Sequence, residues 1–149
     1  MKDTMAILRN AVASLIEGNI VVDGNIVPVF DKKRRVNVPS GLYIILGTQR
    51  ENDAPQTSET FITDSELDIE IWHITDYEVS SAAIDSVSDQ LLKLLMALPD
   101  ADNMPVQNLF QISGVRRVSS VFQEFSIGPT DTVLNKNITI SATIVQQNP

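Results

Sequence analysis

The single histidine of the chain, His73, is the first residue to test for chemistry, because any histidine-dependent acid–base mechanism would have to use it. It follows Trp72 in a run that alternates acidic and apolar residues, with no candidate nucleophile at a recognisable turn. A histidine in such a strand is far more often structural than catalytic. We therefore predict a structural His73 and a chain that is not an enzyme, with catalysis through His73 and nearby acids as the rival hypothesis.

Paired carboxylates are the second candidate. Asp68 and Glu70 are two residues apart on one strand, which places them about 7 Å from each other on the same face. The carboxylates of glycosidases normally come from different elements of the fold. We interpret these acids, together with Glu66, as a strand face that contacts solvent or a neighbouring subunit.

Metal and phosphate motifs are incomplete. Asp100–Asn103 resembles the start of a calcium loop, but Pro105 and Gln111 occupy the positions that require glycine and glutamate. The six glycines are scattered, no phosphate-loop pattern occurs, and the absence of cysteine excludes disulfides and thiolate sites. No catalytic residue, metal or cofactor is predicted.

Positive charge is concentrated in two places, which are Lys32, Lys33, Arg34 and Arg35 in one cluster and the pair Arg116 and Arg117. Surface charge is the simplest interpretation, and a protein or DNA contact is the alternative. The formal net charge of −8 argues against nonspecific DNA binding, which needs cations to neutralise phosphates.

The alternation in 66–74 predicts a strand with Leu67, Ile69 and Ile71 facing a core, and the alternation in 138–144 predicts the clearest half-buried strand of the sequence. The following Val79–Leu98 repeats apolar residues at three- and four-residue spacing, which predicts an amphipathic helix. A strand leading directly into such a helix indicates a helix layer packed on a sheet.

The rest of the chain supplies further elements. Asp3–Glu17 is predicted to be a helix, and β-rich runs flank Asp23-Gly24, a hairpin signal. Pro28 indicates an edge strand, and 42–47 reads as a buried central strand. The polar segment 48–64 is predicted to be an extended loop or arm, with a hairpin as the alternative.

The C-terminal part predicts strands at Val106–Ile112 and Val115–Ile127, separated by Gly114, with a bulge at Ser119-Ser120. Phe125–Ile144 forms an antiparallel hairpin. The predicted order is α-β-β-β-(arm)-β-α-β-β. It describes one α+β domain, 1–149, whose mostly antiparallel sheet is packed on one face by two helices. No apolar run reaches about 18 residues, so no membrane span or membrane partner is expected.

The element order and the segments NIVPVFD, GLYIILG, IEIWHIT and AAIDSVSDQLLKLL together resemble phage tail terminator proteins, also called tail completion proteins, and related head–tail joining proteins. The resemblance extends over nearly the whole chain and lies in pattern rather than in single motifs. It implies a non-catalytic virion protein of the tail or neck, assembled in the host cytoplasm.

The resemblance also implies a homo-oligomeric ring, commonly a hexamer, on the end of the tail tube. The implied partners are the tail tube protein, a head or neck connector, and genome DNA that passes through the lumen without specific binding. A ring needs two complementary patches per subunit. The acidic strand face, Glu66, Asp68 and Glu70, and the basic residues Lys32, Lys33, Arg34, Arg35, Arg116 and Arg117 are the expected interface.

Two other functions fit the same pattern. A different neck or head-completion ring would share the small-ring architecture and differ in its partner. A soluble α+β small-molecule-binding module would be a stable monomer with an apolar cavity.

Overall fold

The computed structural model describes residues 5–31, 41–53, 60–75, 80–97, 110–127 and 131–147. These ranges contain two helices, α1 (Met5–Ile16) and α2 (Ala82–Met96). They also contain seven strands, which are β1 (Val21–Val22), β2 (Asn25–Ile26), β3 (Val29–Asp31), β4 (Gly41–Asp53), β5 (Thr60–Thr75), β6 (Phe110–Ile127) and β7 (Asp131–Gln147).

Within the described residues the main sheet has five strands in the order β3-β4-β5-β7-β6. The β3–β4 pair is parallel and the other pairs are antiparallel. Helices α1 and α2 contribute to one core cluster with one face of this sheet, which we call the helix face; the opposite side is the open face. The predicted α+β class is confirmed.

Strand β5 has the predicted alternation. Leu67, Ile69 and Ile71 are fully buried on the helix face, while the acids between them lie on the open face. Leu67 and Ile69 lie opposite Ile140 and Ile138 of β7, so the alternating patterns of both strands coincide. This register keeps one face of each strand apolar, because a one-residue shift would turn every side chain over.

Both predicted helices are confirmed, with Glu17 outside α1 and Ser80, Ser81 and Ala97 outside α2. The predicted end residues 3, 4, 79 and 98 lie outside the described residues. The apolar stripes of both helices meet the sheet with side chains that are almost completely buried: Leu8, Ala11, Val12, Ile16, Ile84, Val87, Leu91 and Leu95. Leu94, which is also apolar and lies on α2, is only half-buried.

The predicted hairpin around Asp23-Gly24 is confirmed, with φ of 51° and 79° at the two turn residues. Such positive φ values are those of the type I′ turn that suits a two-residue hairpin. The run after the turn is divided, however. Its first part is β2, which pairs with β1, and its second part is β3, which joins the edge of the main sheet. The division falls at Pro28, which has no N–H to donate.

The structure differs from the prediction at the segment 48–64 and at Gly114. The residues of 48–53 belong to β4 and those of 60–64 to β5, paired as far as Asp53 and Thr63. Gly114 does not separate two strands, since β6 passes through it. At Gly114 φ is +62°, and the register with β7 shifts between Ser113 and Arg116. The predicted break was wrong because a glycine with positive φ also serves a β-bulge.

Arg9 connects α1 to an irregularity in β4. Its guanidinium donates to the carbonyl of Leu46 at 2.9 Å and to the carbonyl of Gly47, and it lies 3.5 Å from a carboxylate oxygen of Asp31. The register of β4 against β5 shifts between Leu46 and Gln49. A Cβ at Gly47 would lie 2.7 Å from Glu70 Oε2 and 3.0 Å from the backbone oxygen of Asp68, so a larger residue here would require the Glu70 side chain to move and β5 to shift slightly.

The hairpin β1–β2 is hydrogen-bonded to α2 through the side chain of Gln90. The N–H of Val21 donates to Gln90 Oε1 at 3.0 Å, and Gln90 Nε2 donates to the Val21 carbonyl at 2.9 Å. The Gln90 amide therefore occupies the place that a backbone amide of a neighbouring strand would take.

We predict that Arg9→Met lowers the free energy of unfolding by about 1–3 kcal/mol, because the partly buried carbonyls of Leu46 and Gly47 lose their donor. Urea unfolding measures the change. The control is Asn10→Ala on the exposed side of the same helix, which should stay within about 0.5 kcal/mol of the wild type. Equal effects of the two substitutions would contradict this role for Arg9.

Candidate functional site

The three predicted acids lie together on the open face of β5, but two of them are already paired. Arg50 of β4 lies 3.3 Å from Glu66 Oε2 and 3.1 Å from Asp68 Oδ1, and its Nη1 donates to Asp68 Oδ2. The hydrogen bond and the charge of Asp68 raise the pKa of Arg50 above its ordinary value. The acidic strand face is therefore partly neutralised within the subunit.

Two further hydrogen bonds hold carboxylates of the acidic strand face. The hydroxyl of Thr139 donates to Asp68 Oδ1 at 2.7 Å, and Trp72 Nε1 donates to Glu70 Oε1 at 3.2 Å. Sequence reasoning missed Arg50. Its pairing follows from the register of β4 with β5, and its position in the polar segment 48–64 gave no signal for it.

The structure describes two of the six basic residues that were expected at the interface. Lys32, Lys33, Arg34 and Arg35 lie outside the described residues. Arg116 and Arg117 are exposed on β6 and point to opposite faces, since Arg116 lies opposite Ser141 and Arg117 opposite Ile140. Neither makes an ion pair with another described residue.

Strand β6 is the most unusual surface of the molecule. Every side chain from Arg116 to Ser126 is exposed, although β6 pairs with β7 almost throughout its length. Four of these side chains are large and apolar, with exposed fractions of 48% (Val118), 50% (Val121), 46% (Phe122) and 40% (Phe125). Among the described residues, no strand pairs with the outer edge of β6.

The open face beside β6 carries an aromatic contact. The rings of Trp72 and Phe125 meet edge to face, with centroids 6.3 Å apart and planes at 90°. This contact holds the Phe125 ring beside Trp72 while the Phe125 side chain stays 40% exposed. The sequence predicted the β6 strand but gave no sign that it forms an edge.

His73 lies on the helix face, opposite Leu42 and Leu134, at the wall of a cleft of about 490 Å³. The cleft lies between the β1–β2 hairpin and the start of α2, and its lining includes Asp23, Asn25 and Ser80. His73 Nδ1 is buried without a hydrogen-bond partner, and burial lowers the pKa of His73.

The described residues do not assemble a catalytic or metal centre. No described carboxylate bonds to His73, so no group orients its imidazole as a general base requires. Among these residues no group of three or more His, Cys, Asp or Glu side chains could hold a metal ion. No described helix is long and apolar enough to cross a membrane.

Comparison with known proteins gives a likeness of fold to solved structures. No protein-family model matches the chain, and no curated protein matches it. A chain from the solved structure "Virion of native gene transfer agent (GTA) particle" is similar, with a TM-score of 0.51 and 12% sequence identity. The match covers 89% of this chain and 84% of that chain. At this identity the likeness establishes a shared fold.

We predict a pH dependence of stability that comes from His73. Its pKa in the folded protein is lower than the unfolded value near 6.5, so the unfolded chain binds more protons as the pH falls. Stability should therefore decrease as the pH falls through 6.5 towards the lower folded pKa. Urea unfolding between pH 8 and 5.5 should show a smaller loss for His73→Gln than for the wild type. Identical losses would contradict the prediction.

Proposed function

We propose that this chain is a structural virion protein of a phage-like particle. In detail, it is a tail terminator that forms a ring on the end of the tail tube and joins the tube to the head or neck. The observation that carries the assembly role is the exposed β6 edge. The likeness to a chain of a gene transfer agent virion over most of both chains supports the particle context.

An exposed edge strand with four large apolar side chains is a surface that other proteins normally cover. Monomeric proteins protect such edges with proline, charged side chains, β-bulges or short strand length. Strand β6 has two register shifts and three charged residues, but the stretch from Gly114 to Ser126 contains neither proline nor lysine, and β6 is 18 residues long. The length and composition of β6 therefore favour a chain that works as part of an assembly.

A ring needs two different patches on each subunit. Strands β6 and β3 occupy opposite edges of the main sheet in the described residues, which suits head-to-tail contacts. The basic cluster, Lys32 to Arg35, follows the last residue of β3 in sequence. In our proposal the β3 edge and the basic cluster contact the next copy of the chain, and the acidic strand face of β5 supplies the complementary charge.

The net charge of −8 suits a lumen through which genome DNA passes without specific binding, because an acidic wall repels phosphates. The partners in this proposal are other copies of the chain, the tail tube protein and a head or neck connector. A neck ring with the same architecture would differ only in which of these partners it binds.

A small-molecule-binding module is the second candidate, and the cleft beside His73 is the observation that favours it. A cleft of about 490 Å³ lies within the size range of small-ligand sites. This function requires a stable monomer with no affinity for tubes.

The test is to mix the purified chain with tail tubes that lack a terminator and to image the tube ends. The proposal predicts rings at the ends, with a native mass near six times 16.4 kDa for the isolated ring. A monomer that leaves the tube ends bare would contradict it.

We predict that Arg34→Glu/Arg35→Glu reduces ring assembly by about tenfold, because reversed charges repel where the wild type attracts. Lys93→Glu on the exposed side of α2 is the control and should assemble normally. Native mass spectrometry over a concentration series measures both. Unchanged assembly of the double variant would overturn the basic-cluster interface.

A further inference from the structure

The outer edge of β6 is complementary to itself. The register with β7 gives positions along β6: Arg117 lies opposite Ile140, Val121 opposite Asn137, and Glu124 opposite Leu134. Measured in residues of β7, Arg117 and Glu124 are therefore the same distance from Val121, in opposite directions along the strand. Both lie on the helix face, because Ile140 and Leu134 share one side of β7.

The irregularity in β6 creates this symmetry. The register shifts between Arg117 and Ser119, so Val118 is an additional residue between them. In a regular strand Arg117 would share a face with Val121, because side chains alternate with period two. The additional residue moves Arg117 to the other face, which is the face of Glu124.

We propose that two copies of this chain pair through their β6 strands, antiparallel, about a two-fold axis at Val121. In this arrangement Arg117 of each copy lies opposite Glu124 of the other, so the same ion pair forms twice. The two main sheets become one continuous sheet. The segment 114–126 contains one further charged residue, Arg116.

The remaining cross-strand neighbours are also compatible. On the open face Arg116 of one copy lies opposite Phe125 of the other, which permits a cation–π contact. On the same face Ser119 lies opposite Gln123, and the two Val121 side chains meet at the axis. The pairing covers half-exposed apolar side chains and brings no like charges together.

The charge pattern favours a second copy over an unrelated strand as the occupant. A two-fold axis matches each charge with its opposite using this chain alone, whereas another partner would have to supply both signs at the same spacing. A two-fold pair closes on itself and does not extend into a larger ring. The dimer is therefore a state separate from the proposed ring, and the inference does not rest on the proposed function.

The direct test uses the absence of native cysteine. Residues directly opposite in an antiparallel pair have Cα atoms about 4.5–5.5 Å apart, which is within disulfide range. Val121→Cys should give a disulfide-linked dimer under mild oxidation at least about tenfold faster than Asp89→Cys, an exposed control on α2. Equal rates for the two variants would overturn the pairing.

Swapping the charges at positions 117 and 124 tests the register of the proposed β6–β6 pair. Arg117→Glu and Glu124→Arg should each weaken dimerisation about tenfold in sedimentation equilibrium at low salt, since each places like charges opposite one another twice. The double variant should recover wild-type affinity, and a mixture of the two single variants should form heterodimers. A double variant no better than the single ones, or a wild type that stays monomeric at high concentration, would overturn the proposal. Rings without Val121→Cys cross-linking would support the proposed function and reject the dimer.

Discussion

The burial of Leu67, Ile69 and Ile71 under helices α1 and α2 determines where the rest of the sheet can lie. Because these three side chains face the core, the acids that alternate with them must lie on the open face. Strand β5 pairs on one side with β4 and on the other with β7, so β6 is placed outside β7 at the edge. The buried stripe thus accounts for the acidic strand face, and the strand order accounts for the exposed position of β6.

The acidic strand face of β5 and the exposed strand β6 differ in how many of their side chains already have partners within the subunit. On the acidic strand face Arg50, Thr139 and Trp72 already supply partners to carboxylates of β5. On β6 the side chains of Val121 and Phe122 have no comparable cover, and burying the exposed half of each would contribute about 1 kcal/mol. The apolar strand edge, rather than the acidic strand face, is therefore the surface with most to gain from a partner.

Local pattern predicted the elements with strong periodicity or turn chemistry, which include β5, both helices, the Asp23-Gly24 turn and the β6–β7 hairpin. It did not predict the strand order, because which strand lies beside β5 depends on contacts between residues far apart in sequence. For the same reason the Arg50 ion pairs and the edge position of β6 were not predictable. Gly114 was misinterpreted because a bulge and a strand end share the same glycine signal.

The central claim is that another protein chain binds the outer edge of β6. Amide hydrogen exchange along β6 tests this claim most directly. At high dilution the amides that point away from β7 should exchange rapidly, because no described strand protects them. On concentration, or on addition of tail tubes, those amides should become protected while amides of the core strand β5 stay unchanged. Exchange along β6 that stays the same under all these conditions would contradict the account.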